Sequence, residues 1–108
     1  MMLGVTRSIG DFYHQTWGVT WEPEVIVKQL GADLGSSPYG VLCLASDGVW
    51  DHWRFEDAME ALCVGGTPPD ERRVYNFCET TRRKGYEAFG DGADNLTSVV
   101  VVLPNPDM

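Results

Sequence analysis

The 108-residue chain is long enough for one small domain and too short for two. Its 44% hydrophobic and 22% charged content is that of a folding sequence, which excludes wholesale disorder and low-complexity architecture. Sixteen Asp and Glu against eight Lys and Arg leave a net charge of −8; such a surface repels phosphate backbones, so general nucleic-acid binding is excluded and cation binding fits better.

The first apolar stretch, Met2 to Thr6, is short and breaks at Gly10-Asp11. From Phe12 to Glu24 the chain is aromatic-rich but aperiodic, punctuated by Gly18 and Pro23, which predicts a long connection lying on a core with Trp17 and Trp21 as packing residues. Glu24-Val25-Ile26-Val27-Lys28 is β-branched with partial alternation and predicts a strand, followed by a turn or loop over Gly31 to Gly40. The continuous apolar run Val41 to Ala45 is too short for a helix and predicts a strand covered on both faces, ending in Ser46-Asp47-Gly48.

Downstream, Phe55, Ala58, Met59, Leu62 and Cys63 share one helical face that stops at Gly65-Gly66. Thr67-Pro68-Pro69-Asp70 predicts the start of a second helix, with Thr67 as N-cap and Pro68 in the first position. Val74, Phe77, Cys78, Thr81, Gly85 and Phe89 lie on its apolar side; Arg82-Arg83-Lys84 near its end favours the helix dipole and reads as a solvated face. A loop over Gly90 to Asn95 leads into a last β-branched strand, Leu96 to Leu103, closed by Pro104 and Pro106. The order β-β-α-α-β, with helices on at least one face of a sheet, is an α+β arrangement.

No apolar run approaches the roughly 18 residues that span a bilayer, and the first residues lack the charged-then-apolar order of a signal peptide. A soluble cytoplasmic or nuclear protein is expected. Cys43, Cys63 and Cys78 match no zinc spacing, and their odd number argues against a complete disulfide framework; buried free thiols are expected.

Aspartates concentrate at strand ends. Asp47 and Asp51 follow the Val41–Ala45 run, and Asp91 and Asp94 precede the Leu96–Leu103 run. If those strands are antiparallel neighbours, Asp47 and Asp94 meet at one rim, where two close carboxylates raise a pKa or demand a cation. Oxygen ligands of this kind suit Mg2+ or Mn2+, although Asp-Gly is also a common turn dipeptide. An EF-hand fails, because positions three, six and twelve from Asp47 are Val49, His52 and Ala58. His14 and His52 have no triad or metal-ligand spacing and read as structural or surface residues.

Leu44-Ala45-Ser46-Asp47-Gly48-Val49-Trp50-Asp51 resembles the signature of the metal-dependent type 2C serine/threonine protein phosphatases. Val5-Thr6-Arg7-Ser8-Ile9-Gly10-Asp11, Glu22-Pro23-Glu24-Val25 and Gly92-Ala93-Asp94-Asn95-Leu96-Thr97 agree with that family in order and separation, though Ala93 stands where members often have Ser. The resemblance implies part of a four-layer αββα sandwich, with residues 1–108 as its C-terminal half and the N-terminal half absent. It implies two Mg2+ or Mn2+ ions, and a third held more weakly, with a water bridging two of them attacking phosphorus. Asp47 and Asp94 then match metal-ligand aspartates, and Asp51 matches the one associated with the weaker ion. Gly48 permits a sharp turn beside Asp47, and Asn95 supports either the turn or the ligands without touching the ions. For Arg7 and Asp11 an ion pair or turn is expected. The other catalytic groups belong to the missing half, so the chain alone is expected to be inactive. Phosphoprotein substrates are implied, with no nucleic-acid or membrane partner, and the oligomeric state stays open. A non-catalytic interaction or regulatory module derived from the same fold is the alternative.

Overall fold

Residues 4–108 are described by a computed structural model; the apolar start at Met2 lies partly outside them. The elements run α1 (Phe12–Gln15), α2 (Leu30–Leu34), β1 (Tyr39–Ala45), α3 (Asp47–Trp50), α4 (Phe55–Leu62), α5 (Glu71–Phe89) and β2 (Ser98–Pro104), with 3-10 turns at Val64–Gly66 and Gly90–Gly92. This is an α+β piece whose two strands pair antiparallel, Tyr39 opposite Pro104 and Ala45 opposite Ser98. Both strands thus form where apolar, β-branched runs were predicted, one or two residues out of register with the expected ends.

Alternation along the paired strands sends Cys43, Ala45 and Val100 toward the helices. There they pack on the buried core of Val49, Ala58, Leu62 and Phe77, with Trp53, Val74 and Cys78 around its edge. The other face carries Leu42, Leu44, Val99 and Val101, which are 37–58% exposed. The expectation of strands covered on both faces is therefore corrected: helices cover one face only among the described residues.

The N-terminal segment departs furthest from expectation. Glu24–Lys28 is not a strand: Val25, Ile26 and Val27 stand 70–86% exposed and no chain pairs beside them among the described residues. β-propensity describes fit to a sheet surface and forms no ladder without a neighbour. Trp17 and Trp21 are likewise exposed and pack on no core. Order here comes from the single turn of α1, from an isolated bridge between Arg7 and Thr20, and from the ion pair Arg7–Glu24 at 3.5 Å, as expected for Arg7. The radius of gyration of 17.3 Å, against about 13 Å for a compact chain of this length, reflects that unpacked segment. Within the predicted loop 31–40, the chain instead coils one turn of helix, α2, whose Leu34 side chain lies over Gly40.

Helix α4 spans the predicted face. Helix α5 starts three residues later than predicted: Asp70, not Thr67, is its cap, accepting from the Arg73 amide at 2.8 Å. A proline restricts the residue before it to extended backbone, so Pro68 ahead of Pro69 cannot open a helix. Arg73 also points its guanidinium at the carbonyls of Leu62, Val64 and Thr67, which lie at the end of α4 and along the turn that follows it. Since α5 runs on to Phe89 and ends at Gly90 with φ of 58°, the basic run 82–84 lies short of its last turn. Arg82 pairs there with Glu79, and the Lys84 ammonium sits 4.1 Å from the centre of the Trp53 ring.

Two polar side chains hold this arrangement from inside. Asn105 is buried; its Nδ2 donates to the Gly35 and Ser37 carbonyls and its Oδ1 accepts from the Asp107 amide, tying the end of β2 to the α2–β1 connection. Thr81 is fully buried, accepts from Trp53 Nε1 at 2.8 Å and donates to the Phe77 carbonyl at 2.7 Å. Thr81→Val keeps the shape but strands the Trp53 N–H, and urea denaturation is expected to record a loss of about 1–2 kcal/mol. The cysteines are free, as expected, but half-buried rather than buried.

Candidate metal centre

Strand β1 ends at Ala45 and the chain turns directly into α3, whose first residue is Asp47. Ser46 makes that junction. Its carbonyl accepts from the amides of Val49 and Trp50, while its own amide donates to the Thr97 carbonyl at 2.9 Å and its Oγ accepts from the Thr97 amide at 3.1 Å. The single turn of α3 is pinned from within by fully buried Val49 and by Trp50, whose Nε1 donates to the Ala45 carbonyl at 3.0 Å. Asp51 follows as the C-cap, its amide donating to the Asp47 carbonyl at 2.8 Å.

The second loop arrives at the same rim because β2 is antiparallel to β1, so its start lies beside the end of β1. Gly48 marks the contact. A Cβ built there would stand 2.1 Å from the Asn95 carbonyl oxygen and 3.1 Å from Leu96 Cα. This corrects the expectation for Gly48, which adopts ordinary helical backbone and no sharp turn. It is glycine because the neighbouring backbone occupies the space of a side chain. Asn95 meets the Asp47 turn through that carbonyl.

Asp47, Asp51 and Asp94 are exposed at this rim. Among the described residues the ion pairs are Arg7–Glu24, His14–Asp11 and Arg82–Glu79, so no basic side chain neutralises the three carboxylates. No three His, Cys, Asp or Glu side chains among the described residues converge closely enough to hold an ion between them. Two loops seated on one another thus offer unpaired, hard oxygen donors at one rim without closing a cage. That donor set fits Mg2+ or Mn2+, which take one or two carboxylates and keep several waters.

Sequence reasoning passed over the role of Ser46 and the partners of Asp11. Ser46 bridges the two loops, and only the strand register identifies Thr97 as its partner. Asp11 adopts left-handed backbone, φ 51°, and lies between Ser8 Oγ at 2.9 Å and His14 Nδ1 at 3.2 Å. The Ser8 hydrogen bond, and next the one from His14, hold its carboxyl below the usual carboxylate range. These contacts therefore persist above the ordinary Asp pKa and are lost as pH falls through the lowered one. The Asp11 turn agrees with its expected role. His52 is structural, packed beside Gly85 and the Phe89 ring.

No helix among the described residues is long and apolar enough to cross a membrane. Comparison with known families matches residues 1–62 to the model described as Protein phosphatase 2C. The chain is 35% identical over 103 residues to Probable protein phosphatase 2C 12 of Arabidopsis thaliana, covering 94% of this chain and 21% of that protein. It is 35% identical over 101 residues to Probable protein phosphatase 2C 74 of Oryza sativa subsp. japonica, covering 94% and 22%. A third relative, Protein kinase and PP2C-like domain-containing protein of the same rice, is 36% identical over 102 residues, 94% of this chain and 13% of its own length. The chain therefore spans less than a quarter of the curated relatives it matches. No solved structure matches it.

Proposed function

This chain belongs to the protein phosphatase 2C family, and on that premise we propose that it is the C-terminal half of a domain that hydrolyses phosphoserine and phosphothreonine in proteins. Residues 1–108 contribute one share of a four-layer αββα sandwich, and the remaining portion covers the open sheet face of Leu42, Leu44, Val99 and Val101. Asp47 and Asp94 supply oxygen ligands for Mg2+ or Mn2+, Asp51 serves a further, weaker ion, and the other catalytic groups lie outside this chain. The protein works in the cytoplasm or nucleus on phosphoprotein substrates.

The observation that carries this reading is the seating of the Asp47 turn on the Asp94-Asn95 loop, through Gly48 against Asn95 and Ser46 against Thr97. A binding module has no need of three unpaired carboxylates on a rim built by so tight a backbone contact. Bound divalent ions supply charge neutralisation at phosphorus and activation of water. The work of this chain is positional. The buried Val49 and the Trp50–Ala45 bond hold α3 still, so Asp47 leaves the sheet at a fixed height, and the Ser46–Thr97 pair fixes the distance to the second loop.

Reconstitution tests the proposal. The purified 108-residue chain is expected to give negligible Mn2+-dependent hydrolysis of a phosphoserine peptide, and addition of the separately expressed remainder of the domain is expected to restore turnover. Strong activity of the chain alone, or none after mixing under conditions where the two parts bind, would overturn it.

A further inference from the structure

The covered face of the sheet holds two thiols whose neighbourhood is shared. Cys43 projects from β1 on the same side as Ala45, and Ser98 stands directly opposite Ala45 on β2. From the helix side, Cys78 of α5 brings its sulfur to 3.1 Å from Ser98 Oγ. Cys43 pairs with Val100 and lies diagonally from Ser98 on the covered face, while Cys78 meets Ser98 from the helix side; both thiols pack on the edge of the same core and both are half-buried. Cys63 packs on that core from the C-terminal end of α4, in a depression formed with Ser37, Pro38, Met59 and Gly66.

We propose that Cys43 and Cys78 form a redox-active pair, a modification site that a low-molecular-weight disulfide closes into a bond between β1 and α5. The step is thiol–disulfide exchange. One protein thiolate attacks a sulfur of oxidised glutathione, giving a mixed disulfide and one released glutathione thiol. The second cysteine then attacks the protein sulfur of that bond and expels the other glutathione. The protein loses two hydrogens, and two glutathione thiols carry away the electrons and protons. Burial, and next the neighbouring Cys78, push the Cys43 thiol up, so the exchange is slow near neutral pH. The bond would fix the strand that delivers Asp47 to the long helix behind it, and so couple the rigidity of the metal rim to the thiol redox state.

The test incubates the 108-residue chain, its helix content first confirmed by circular dichroism, with oxidised glutathione for hours. Free thiols are then alkylated and the digest is read by mass spectrometry. The expected product is an intramolecular Cys43–Cys78 linked peptide with Cys63 alkylated, retained in Cys63→Ser and lost in both Cys43→Ser and Cys78→Ser. The same incubation in concentrated guanidinium should spread the bonds over all three cysteines, showing that the fold selects the pair. A dominant bond to Cys63 in the native chain, arrest at the mixed disulfide, intermolecular linkage alone, or no oxidation would overturn the assignment.

Discussion

In the complete domain, Asp47→Asn and Asp94→Asn are each expected to lower Mn2+-dependent phosphopeptide hydrolysis by at least about 10²–10³-fold. A metal acting as Lewis acid contributes several kcal/mol, and about 1.4 kcal/mol is tenfold in rate. The amide keeps the shape and hydrogen-bonding reach of the carboxylate but removes the charge that binds a hard cation. Asp51→Asn is expected to cost less at saturating Mn2+ and to show itself mainly as a higher metal requirement. Stability offers a control. All three side chains are exposed and pair with no basic group among the described residues, so the melting behaviour of the metal-free variants should match that of the parent. Full turnover by the Asp94 variant would remove the second loop from the site.

What the sequence made legible divides along the range of the interactions involved. The runs Val41–Ala45 and Leu96–Leu103 and the face Phe55 to Cys63 announce themselves by apolar patterning, and they became β1, β2 and α4. The meeting of the Asp47 and Asp94 loops followed from a single assumption, antiparallel neighbours, which the register Ala45 opposite Ser98 satisfies. The failures involve partners that local pattern cannot supply. Val25 to Val27 has strand chemistry but no chain beside it among the described residues, and Trp17 and Trp21 have apolar bulk but no surface to cover. The α5 cap moved to Asp70 because two consecutive prolines compete with the Thr67 signal. The hydrogen-bond partners of Ser46, Thr81 and Asn105 were invisible for a related reason: they lie 51, 28 and up to 70 positions away.

Gly48→Ala is the second variant with a large expected effect, and its sign separates two readings of the residue. Within a helix, alanine is favoured over glycine by about 1 kcal/mol, so in open space the change would stabilise α3. Here the added carbon meets the Asn95 carbonyl oxygen at 2.1 Å, its carbon at 2.9 Å and Leu96 Cα at 3.1 Å. All three are backbone atoms, and no flexible side chain is available to yield. Relief requires the Asp47 turn and the Asp94-Asn95 loop to separate, which strains the paired bonds between Ser46 and Thr97. Overpacking against backbone, with those bonds disturbed, should destabilise the protein by about 2–3 kcal/mol net of the helix preference. In the complete domain it should also weaken Mn2+ affinity in calorimetric titration, since the carboxylates move apart together with their loops. Gly92→Ala serves as the comparison, because nothing lies within 4 Å of its Cβ position and its φ is not positive; it should change stability by less than about 0.5 kcal/mol. A Gly48→Ala protein as stable as the parent, with unaltered metal affinity, would mean that the two loops are not seated on one another.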